Sequence, residues 1–124
     1  MENAKIKLYD SELKVMEILW EQGDVSAKKI VDGLKDKIGW KMSTTYTVIK
    51  KCIDKNAIQR IEPGFICHPL VTREQAREYE ATELINKMYD GSADSLLVSI
   101  LGRKNLTPKE IEQLKQMLNL NDLK

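Results

Sequence analysis

The chain has 124 residues, of which 20 are basic and 19 acidic, and its formal net charge is +1. This length fits one domain, or a small domain with an additional element, and the near-neutral charge excludes binding to a polyanion through overall charge. The sequence has no apolar run near the ~20 residues that span a bilayer, no signal-peptide pattern and too few cysteines for a disulfide framework, so we expect a cytoplasmic protein.

Two helices are predicted in the first third of the chain. The first is capped by Asp10 or Ser11 and repeats apolar residues at helical spacing. The second begins after Ser26, a good N-cap residue, and stops at Gly39. The short segment between them, residues 23–25, is expected to add a small strand beside a later hairpin.

A third helix is predicted over residues 43–55, although it contains a run of hydroxyl-bearing residues that is unusual for a core element. At about 100° per residue, one face collects Val48, Ile49, Cys52 and Ile53, joined by Thr45 and Met42. The opposite face carries Ser43, Thr47, Lys50, Lys51 and Asp54, with Thr44 and Tyr46 near its edges. The apolar face predicts a core helix, and the polar face predicts a contact surface.

The polar face of this helix is typical of a DNA-recognition helix. Hydroxyls near its start can contact base edges in the major groove, and lysines one or two turns later can reach phosphates. An N-cap role explains one hydroxyl but not a run of exposed ones, so groove contact is the preferred interpretation. The expected DNA-binding residues are Lys28, Lys41, Ser43, Thr44, Tyr46, Thr47, Lys50, Lys51 and Arg60.

Local charge supports the same interpretation. From Lys41 to Arg60 the sequence has five basic residues against one acid, Asp54. Such a patch inside a neutral chain is typical of a phosphate-binding surface. A solvated lysine face explains the charge equally well, so the charge alone does not decide between the two.

The second half of the chain is predicted to contain a hairpin and three helices. Pro63 and Gly64 form a turn between two short apolar segments, which predicts a β-hairpin. Thr72 and Gln75 form a capping-box pattern that opens a long helix. A short apolar helix follows, and Thr107 opens the last helix of the chain.

This order of elements predicts a mostly α fold with a small β-hairpin wing. We expect a winged helix-turn-helix DNA-binding domain over residues 1–71 and a helical dimerisation domain over residues 72–124. The C-terminal helices carry more apolar residues than three short helices can bury alone. The expected dimer interface comprises Leu84, Ile85, Met88, Leu96, Leu97, Ile100, Leu101, Ile111, Leu114 and Leu118. A homodimer would present two recognition helices to a palindromic double-stranded operator.

The N-terminal part of the chain resembles the DNA-binding domain of the penicillinase-repressor (BlaI/MecI) family of winged-helix transcriptional regulators, over SELKVMEILWEQGDVSAKKIVDGLKDKIGWKMSTTYTVIKKCIDKNAI. The likeness continues through PLV after the wing and INKMYDG, so it covers nearly the whole chain. The residues in register with the family pattern are Glu12, Val15, Met16, Leu19, Trp20, Trp40, Thr44, Thr47 and Ile49. Lys51, Cys52 and Asn56 depart from it, standing where the family has arginine, leucine and glycine.

The resemblance implies a homodimeric repressor of a β-lactamase or penicillin-binding-protein gene, with a membrane β-lactam sensor protease as a partner. It also implies that a single cut releases the DNA, and the bond in register with the family's cleavage site is Ser99–Ile100. A cut there would remove part of the apolar stripe of the dimer interface. An uncut helix that serves only packing is the alternative. No ligand-binding pattern is present, so no small-molecule effector is expected.

Other functions have less support in the sequence. Cys67 and His68 are metal-ligand types, but copper-responsive repressors of the same superfamily carry C-terminal cysteine pairs, and no cysteine follows Cys67. We therefore expect no metal site and no cofactor. With one histidine and no phosphate loop or catalytic triad, an enzyme is not expected. Trp20, Trp40 and Cys52 are interpreted as core residues. A copper-type repressor and a winged-helix protein-assembly module stay as alternatives.

Overall fold

A computed structural model describes residues 6–102 and 107–117. Its helices are α1 (Asp10–Gln22), α2 (Ala27–Ile38), α3 (Met42–Asp54), α4 (Arg73–Met88), α5 (Ala93–Leu101) and α6 (Pro108–Met117). Its strands are β1 (Val25–Ser26), β2 (Ile58–Ile61) and β3 (Ile66–Pro69). The described helices do not include one that is both long and apolar enough to cross a membrane.

The three strands form one antiparallel sheet in the order β1-β3-β2. Strands β2 and β3 are the predicted hairpin, and Cys67 on the central strand pairs with Val25 on one side and Arg60 on the other. The expected small strand beside the hairpin is present, shifted by one or two residues toward α2. Helices and sheet together make the winged helix-turn-helix fold that the sequence predicts.

The core of the first unit lies between α1, α2, α3 and the sheet. Its largest fully buried side chains are Met16, Ile18, Leu19, Ile30, Ile49, Ile58, Val15 and Val71. Trp20 and Trp40 pack against this core, as predicted. The indole N–H of Trp20 donates a hydrogen bond to the carbonyl of Val71 at 2.8 Å, which attaches the segment after the wing to α1.

The helix ends follow local chemistry with one exception. Ser26 caps α2 by accepting a hydrogen bond from the Lys29 amide, and Gly39 ends it with φ 70°. Both were predicted. The predicted cap of α1 by Asp10 or Ser11 is wrong, because those residues already lie in its first turn. The N-cap is Tyr9, whose amide donates to the Glu12 carboxylate at 2.8 Å.

The chain divides into two compact units, Met1–Ala76 and Arg77–Lys124. Val71 and Ala76 are buried in the core of the first unit. The predicted domain boundary between residues 71 and 72 stays a prediction.

The capping box predicted at the start of α4 is present, and α6 begins after Thr107 as predicted. The Thr72 amide donates to the Gln75 side chain at 2.9 Å, and the Gln75 amide donates back to the Thr72 hydroxyl at 3.0 Å. Thr107 and Glu110 form the same reciprocal pair at the start of α6. The sequence also predicts that Leu106 packs onto Ile111 as a hydrophobic staple at the start of α6, but Leu106 lies outside the described residues.

Candidate nucleic-acid interface

Helix α3 has one buried face and one exposed face. Thr45, Val48, Ile49 and Cys52 are buried among the core residues. Ser43, Thr44, Thr47, Lys50 and Lys51 are exposed. This split matches the 3.6-residue period read from the sequence. The exposed residues are called the α3 polar face below, and their binding to DNA stays a prediction.

One residue of α3, Met42, lies differently from its predicted position. Met42 was placed on the buried face but is 62% exposed. Helical side chains tilt toward the N-terminus, so a residue in the first turn extends past the core. Tyr46, predicted near the edge of the polar face, is half-buried, with its ring centroid 6.0 Å from that of Phe65 in the wing.

Hydrogen bonds determine what the Thr47 hydroxyl can offer a ligand. Its Oγ1 donates to the carbonyl of Ser43 one turn earlier, at 2.9 Å. The hydroxyl proton is therefore used within the helix. The oxygen lone pairs and the methyl group can still accept from a base amino group or contact a thymine methyl.

The predicted phosphate-binding cations fall into two classes. Three are paired with nearby carboxylates: Lys28 with Asp32 at 3.6 Å, Lys50 with Asp54 at 3.4 Å, and Arg60 with Glu62. Within the described parts of the chain, Lys41 and Lys51 have no acidic partner. Pairing in exposed positions is weak, so a phosphate can replace the carboxylate at modest cost.

Lys55 belongs to the core rather than to the basic patch in which the sequence placed it. Its Nζ donates to the Glu12 carboxylate and to the Lys7 carbonyl, each at 2.7 Å. It also lies 4.9 Å from the ring centroid of Tyr9. The Glu12 side chain is only 5% exposed. The pair therefore ties the C-terminus of α3 to the start of α1, and Lys55 is not available to a phosphate.

The wing contacts α3 through a stacked arginine and an aromatic pair. The Arg60 guanidinium carbon lies 3.6 Å from the ring centroid of Phe65, which contacts Tyr46. Sequence reasoning identified Arg60 but missed the role of Phe65. An aromatic residue directly after a Pro-Gly turn, five residues after a cation, was the available signal.

The Glu62 carboxylate holds Arg60 from the turn of the wing. It accepts hydrogen bonds from Arg60 Nε and from the Phe65 amide, the latter at 3.2 Å. The hydrogen bond from Arg60, followed by that from the Phe65 amide, lowers the pKa of Glu62 below its ordinary value. Glu62 is therefore ionised at neutral pH, and its negative charge lies beside Arg60.

The cysteines and the histidine do not converge on a metal. Cys52 and Cys67 are fully buried, and burial raises the pKa of the Cys52 thiol to about 12 and that of Cys67 to about 11. His68 follows Cys67 on the same strand, so its side chain points to the opposite face, where Nδ1 lies 2.8 Å from Asp24 Oδ1. The described residues contain no group of three or more His, Cys, Asp or Glu side chains placed to hold a metal ion.

The second unit exposes several apolar residues. Leu84, Met88 and Leu101 of the predicted dimer interface are exposed, and Ile85, Ile100 and Ile111 are half-buried. Leu96 and Leu97 are buried within the single chain. Leu118 and the side chain of Leu114 lie outside the described residues. Val98 is 69% exposed and was not predicted, because it lies off the apolar stripe of α5.

The predicted cleavage bond lies inside α5. Ser99 and Ile100 are helical and half-buried. The Tyr89 hydroxyl donates to Ser99 Oγ at 3.4 Å. A helical bond enters a protease only after local unfolding, so the stability of α5 governs access to this bond.

Comparison with known proteins identifies the family to which this chain belongs. The family model described as penicillinase repressor matches residues 8–120. A penicillinase repressor of Bacillus licheniformis is 25% identical over 114 residues, covering 90% of this chain and 89% of its own. The methicillin resistance regulatory protein MecI of Mammaliicoccus sciuri is 28% identical over 121 residues, covering 96% and 98%.

A solved structure shares the fold of the first unit. The solution structure of the DNA binding domain of the repressor BlaI is similar with a TM-score of 0.51 at 22% identity, covering 56% of this chain and 93% of that chain. Since the family match spans most of the sequence, the chain belongs to the penicillinase repressor family of DNA-binding transcriptional repressors.

Proposed function

We propose that this repressor binds a palindromic operator as a homodimer, with the α3 polar face of each chain in the major groove. The observation that carries the proposal is the α3 polar face itself. A helix whose other side forms the core presents hydroxyls in its first turns and lysines further along. Core packing does not require that arrangement, and a recognition helix does.

The contacts divide by chemistry. Thr44, Tyr46 and Thr47 would contact bases or the groove, because they lie in the first turns of α3. The flanking residues would contact phosphates, and they are Lys28, Lys41, Ser43, Lys50, Lys51 and Arg60. Because Tyr46 is half-buried against Phe65, it would contribute through its hydroxyl edge rather than through its whole ring.

Dimerisation would use the apolar residues of the second unit. Leu84, Met88, Val98 and Leu101 are exposed large apolar side chains on α4 and α5. Among the described residues, Tyr9, Ile38, Met42 and Ile61 of the first unit are exposed as well. Exposed apolar residues on two successive helices are typical of an association surface. Two joined chains bind a two-part operator more tightly than either chain alone, because the second contact becomes intramolecular.

The proposed target is a β-lactamase or penicillin-binding-protein gene, and the proposed signal is a β-lactam. The names of the relatives, penicillinase repressor and methicillin resistance regulatory protein, support this assignment. A membrane sensor protease would cut Ser99–Ile100, which would remove Ile100 and Leu101 from the dimer surface. Each lost buried side chain weakens association by about 1.5–3 kcal/mol.

Separate measurements test the DNA contact and the release mechanism. Genomic DNA captured by the protein and sequenced should yield a palindromic site upstream of such a gene. Binding to that site should weaken steeply and log-linearly with salt, since phosphate neutralisation releases counterions. Salt-independent binding, or no DNA recovered, would favour a protein-assembly module.

Mass spectrometry of the repressor from β-lactam-treated cells checks the cut, and an intact chain during full derepression would contradict it. Derepression by copper instead would favour the copper-type alternative.

A further inference from the structure

The wing presents an arginine that is already paired with a carboxylate in the free protein. Arg60 lies on β2, and Glu62 lies in the turn directly after that strand. The two side chains are 49% and 56% exposed, so a large ligand can reach both. Glu62 accepts from Arg60 Nε through one oxygen and from the Phe65 amide through the other. The turn backbone therefore fixes the carboxylate beside the guanidinium.

Arg60 is also held from a second side. Its guanidinium lies 3.6 Å from the Phe65 ring centroid, and Phe65 contacts Tyr46 of α3. The stack keeps the arginine beside the turn of the wing, where Phe65 contacts α3. A cation in that position is suited to a phosphate next to the groove that α3 would occupy.

A carboxylate and a phosphate are the same kind of acceptor for a guanidinium. A phosphate that approaches Arg60 therefore meets a like charge, and it must displace Glu62 before it can bond to Nε. Gln at the same position would keep the shape and an oxygen for the Phe65 amide, but it would remove the charge.

We propose that Glu62 is an intramolecular competitor of DNA phosphate for Arg60 and so sets the strength and salt dependence of wing binding. The proposal rests on the proposed DNA-binding function and adds a residue that opposes it. Glu62 weakens the wing contact, because its charge lies beside the guanidinium and its oxygen occupies the Nε donor that a phosphate would otherwise use.

The test compares Glu62→Gln with the unchanged protein on a labelled mixed-sequence duplex of about 30 base pairs, long enough for two half-sites. Fluorescence anisotropy is measured from about 50 to about 300 mM salt. Glu62→Gln is expected to bind about two- to fivefold more tightly, the range of one exposed charge pair. The slope of log affinity against log salt should steepen by about one, for one additional phosphate contact.

The control is Glu17→Gln, which removes a closely matched pair outside the wing. Glu17 accepts from Arg73 at 2.7 Å, and Arg73 lies 5.6 Å from the Trp20 ring centroid. This variant changes the net charge equally and also releases an arginine beside an aromatic ring. It is expected to change DNA affinity less than twofold, because salt at these concentrations screens the effect of a charge that lies far from the DNA.

A double variant tests whether the effect of Glu62→Gln depends on Arg60 or only on the change in net charge. In Arg60→Gln protein, Glu62→Gln should have no further effect, since the competitor has lost its target. Equal effects of Glu62→Gln and Glu17→Gln, or an effect that persists without Arg60, would overturn the inference. Glu62→Ala should act in the same direction as Glu62→Gln, and thermal melting checks that both variants fold. If the unchanged protein shows no salt-dependent binding to any duplex, the proposed function fails first and this inference fails with it.

Discussion

At the scale of single residues, lysines of one short segment have opposite roles. Lys50 lies on the α3 polar face and pairs with Asp54 in an exposed position. Lys55, five residues later, is bonded to the buried Glu12 and lies against Tyr9. The difference comes from where each residue falls on the helix relative to α1. The same charge is therefore exposed to solvent in one place and part of a structural ion pair in the other.

Replacing Lys55 with Met is expected to destabilise the fold by about 3 kcal/mol, because it leaves the Glu12 carboxylate buried without its cation. Lys50→Met is the matched control and should change the unfolding free energy by less than about 0.5 kcal/mol, since its ion pair is exposed. Urea unfolding monitored by circular dichroism measures both. Similar values for the two variants would show that the buried pair contributes little.

Thr47→Ala is expected to weaken binding to the operator by about 1–3 kcal/mol while changing binding to random DNA much less. The variant removes an acceptor oxygen and a methyl group that face outward. Lys50→Ala should weaken both duplexes alike, because a phosphate contact carries no sequence information. Competition binding with the captured operator and a scrambled duplex measures both. If Thr47→Ala lowers the affinity for both duplexes equally, direct base readout by Thr47 is contradicted.

At the scale of elements, helix periods and caps were predictable because they depend on neighbours within four residues. The ends of α2, α4 and α6 follow from Ser26, Gly39, Thr72 and Thr107. The cap of α1 was not predicted, because Tyr9 contributes its backbone amide to Glu12 and no polar side chain marks the position. Met42 was predicted on the buried face because the helical repeat indicates the face on which a residue lies. The repeat does not indicate where along the helix the core ends.

Helix α5 is expected to open more easily when its cap is removed. The Ser92 hydroxyl accepts a hydrogen bond from the Ser95 amide at 3.1 Å, and its loss in Ser92→Ala should cost about 1 kcal/mol. Amide hydrogen exchange within α5 should then accelerate about fivefold. Ser95→Ala is the control, because it keeps the backbone amide that the cap uses and should leave exchange unchanged. If both variants exchange alike, the cap does not limit opening of the helix that contains Ser99–Ile100.

At the scale of the whole molecule, the chain consists of two compact units, and α4 begins in the first and continues into the second. Val71 and Ala76 are buried in the first unit, and Arg73 bonds to Glu17. A shortened chain must therefore keep these residues to leave the first core intact. Ending it at Leu70 would remove a core side chain and the hydrogen-bond acceptor of Trp20.

A chain that ends after Arg77 is expected to be folded and monomeric, and to bind the operator about 100-fold more weakly than the full chain, through loss of avidity. Sedimentation equilibrium gives its mass, and anisotropy on the operator gives its affinity. The control is the full chain with Leu84, Met88, Val98 and Leu101 changed to serine, which should lose the dimer while keeping α4 and α5. A tight dimer from the shortened chain would show that association does not depend on the second unit.

The sequence by itself determined the order of elements, the side-chain caps of α2, α4 and α6, and which face of α3 is polar. These features depend on spacing along the chain, and spacing is what a sequence records. Only the tertiary structure decided the partners of Lys55, which bonds to a carboxylate 43 residues away, and the attachment of Phe65 to Tyr46 across the wing. Such contacts form between elements that the fold brings together, and a charge or a ring has no period that reveals its distant partner.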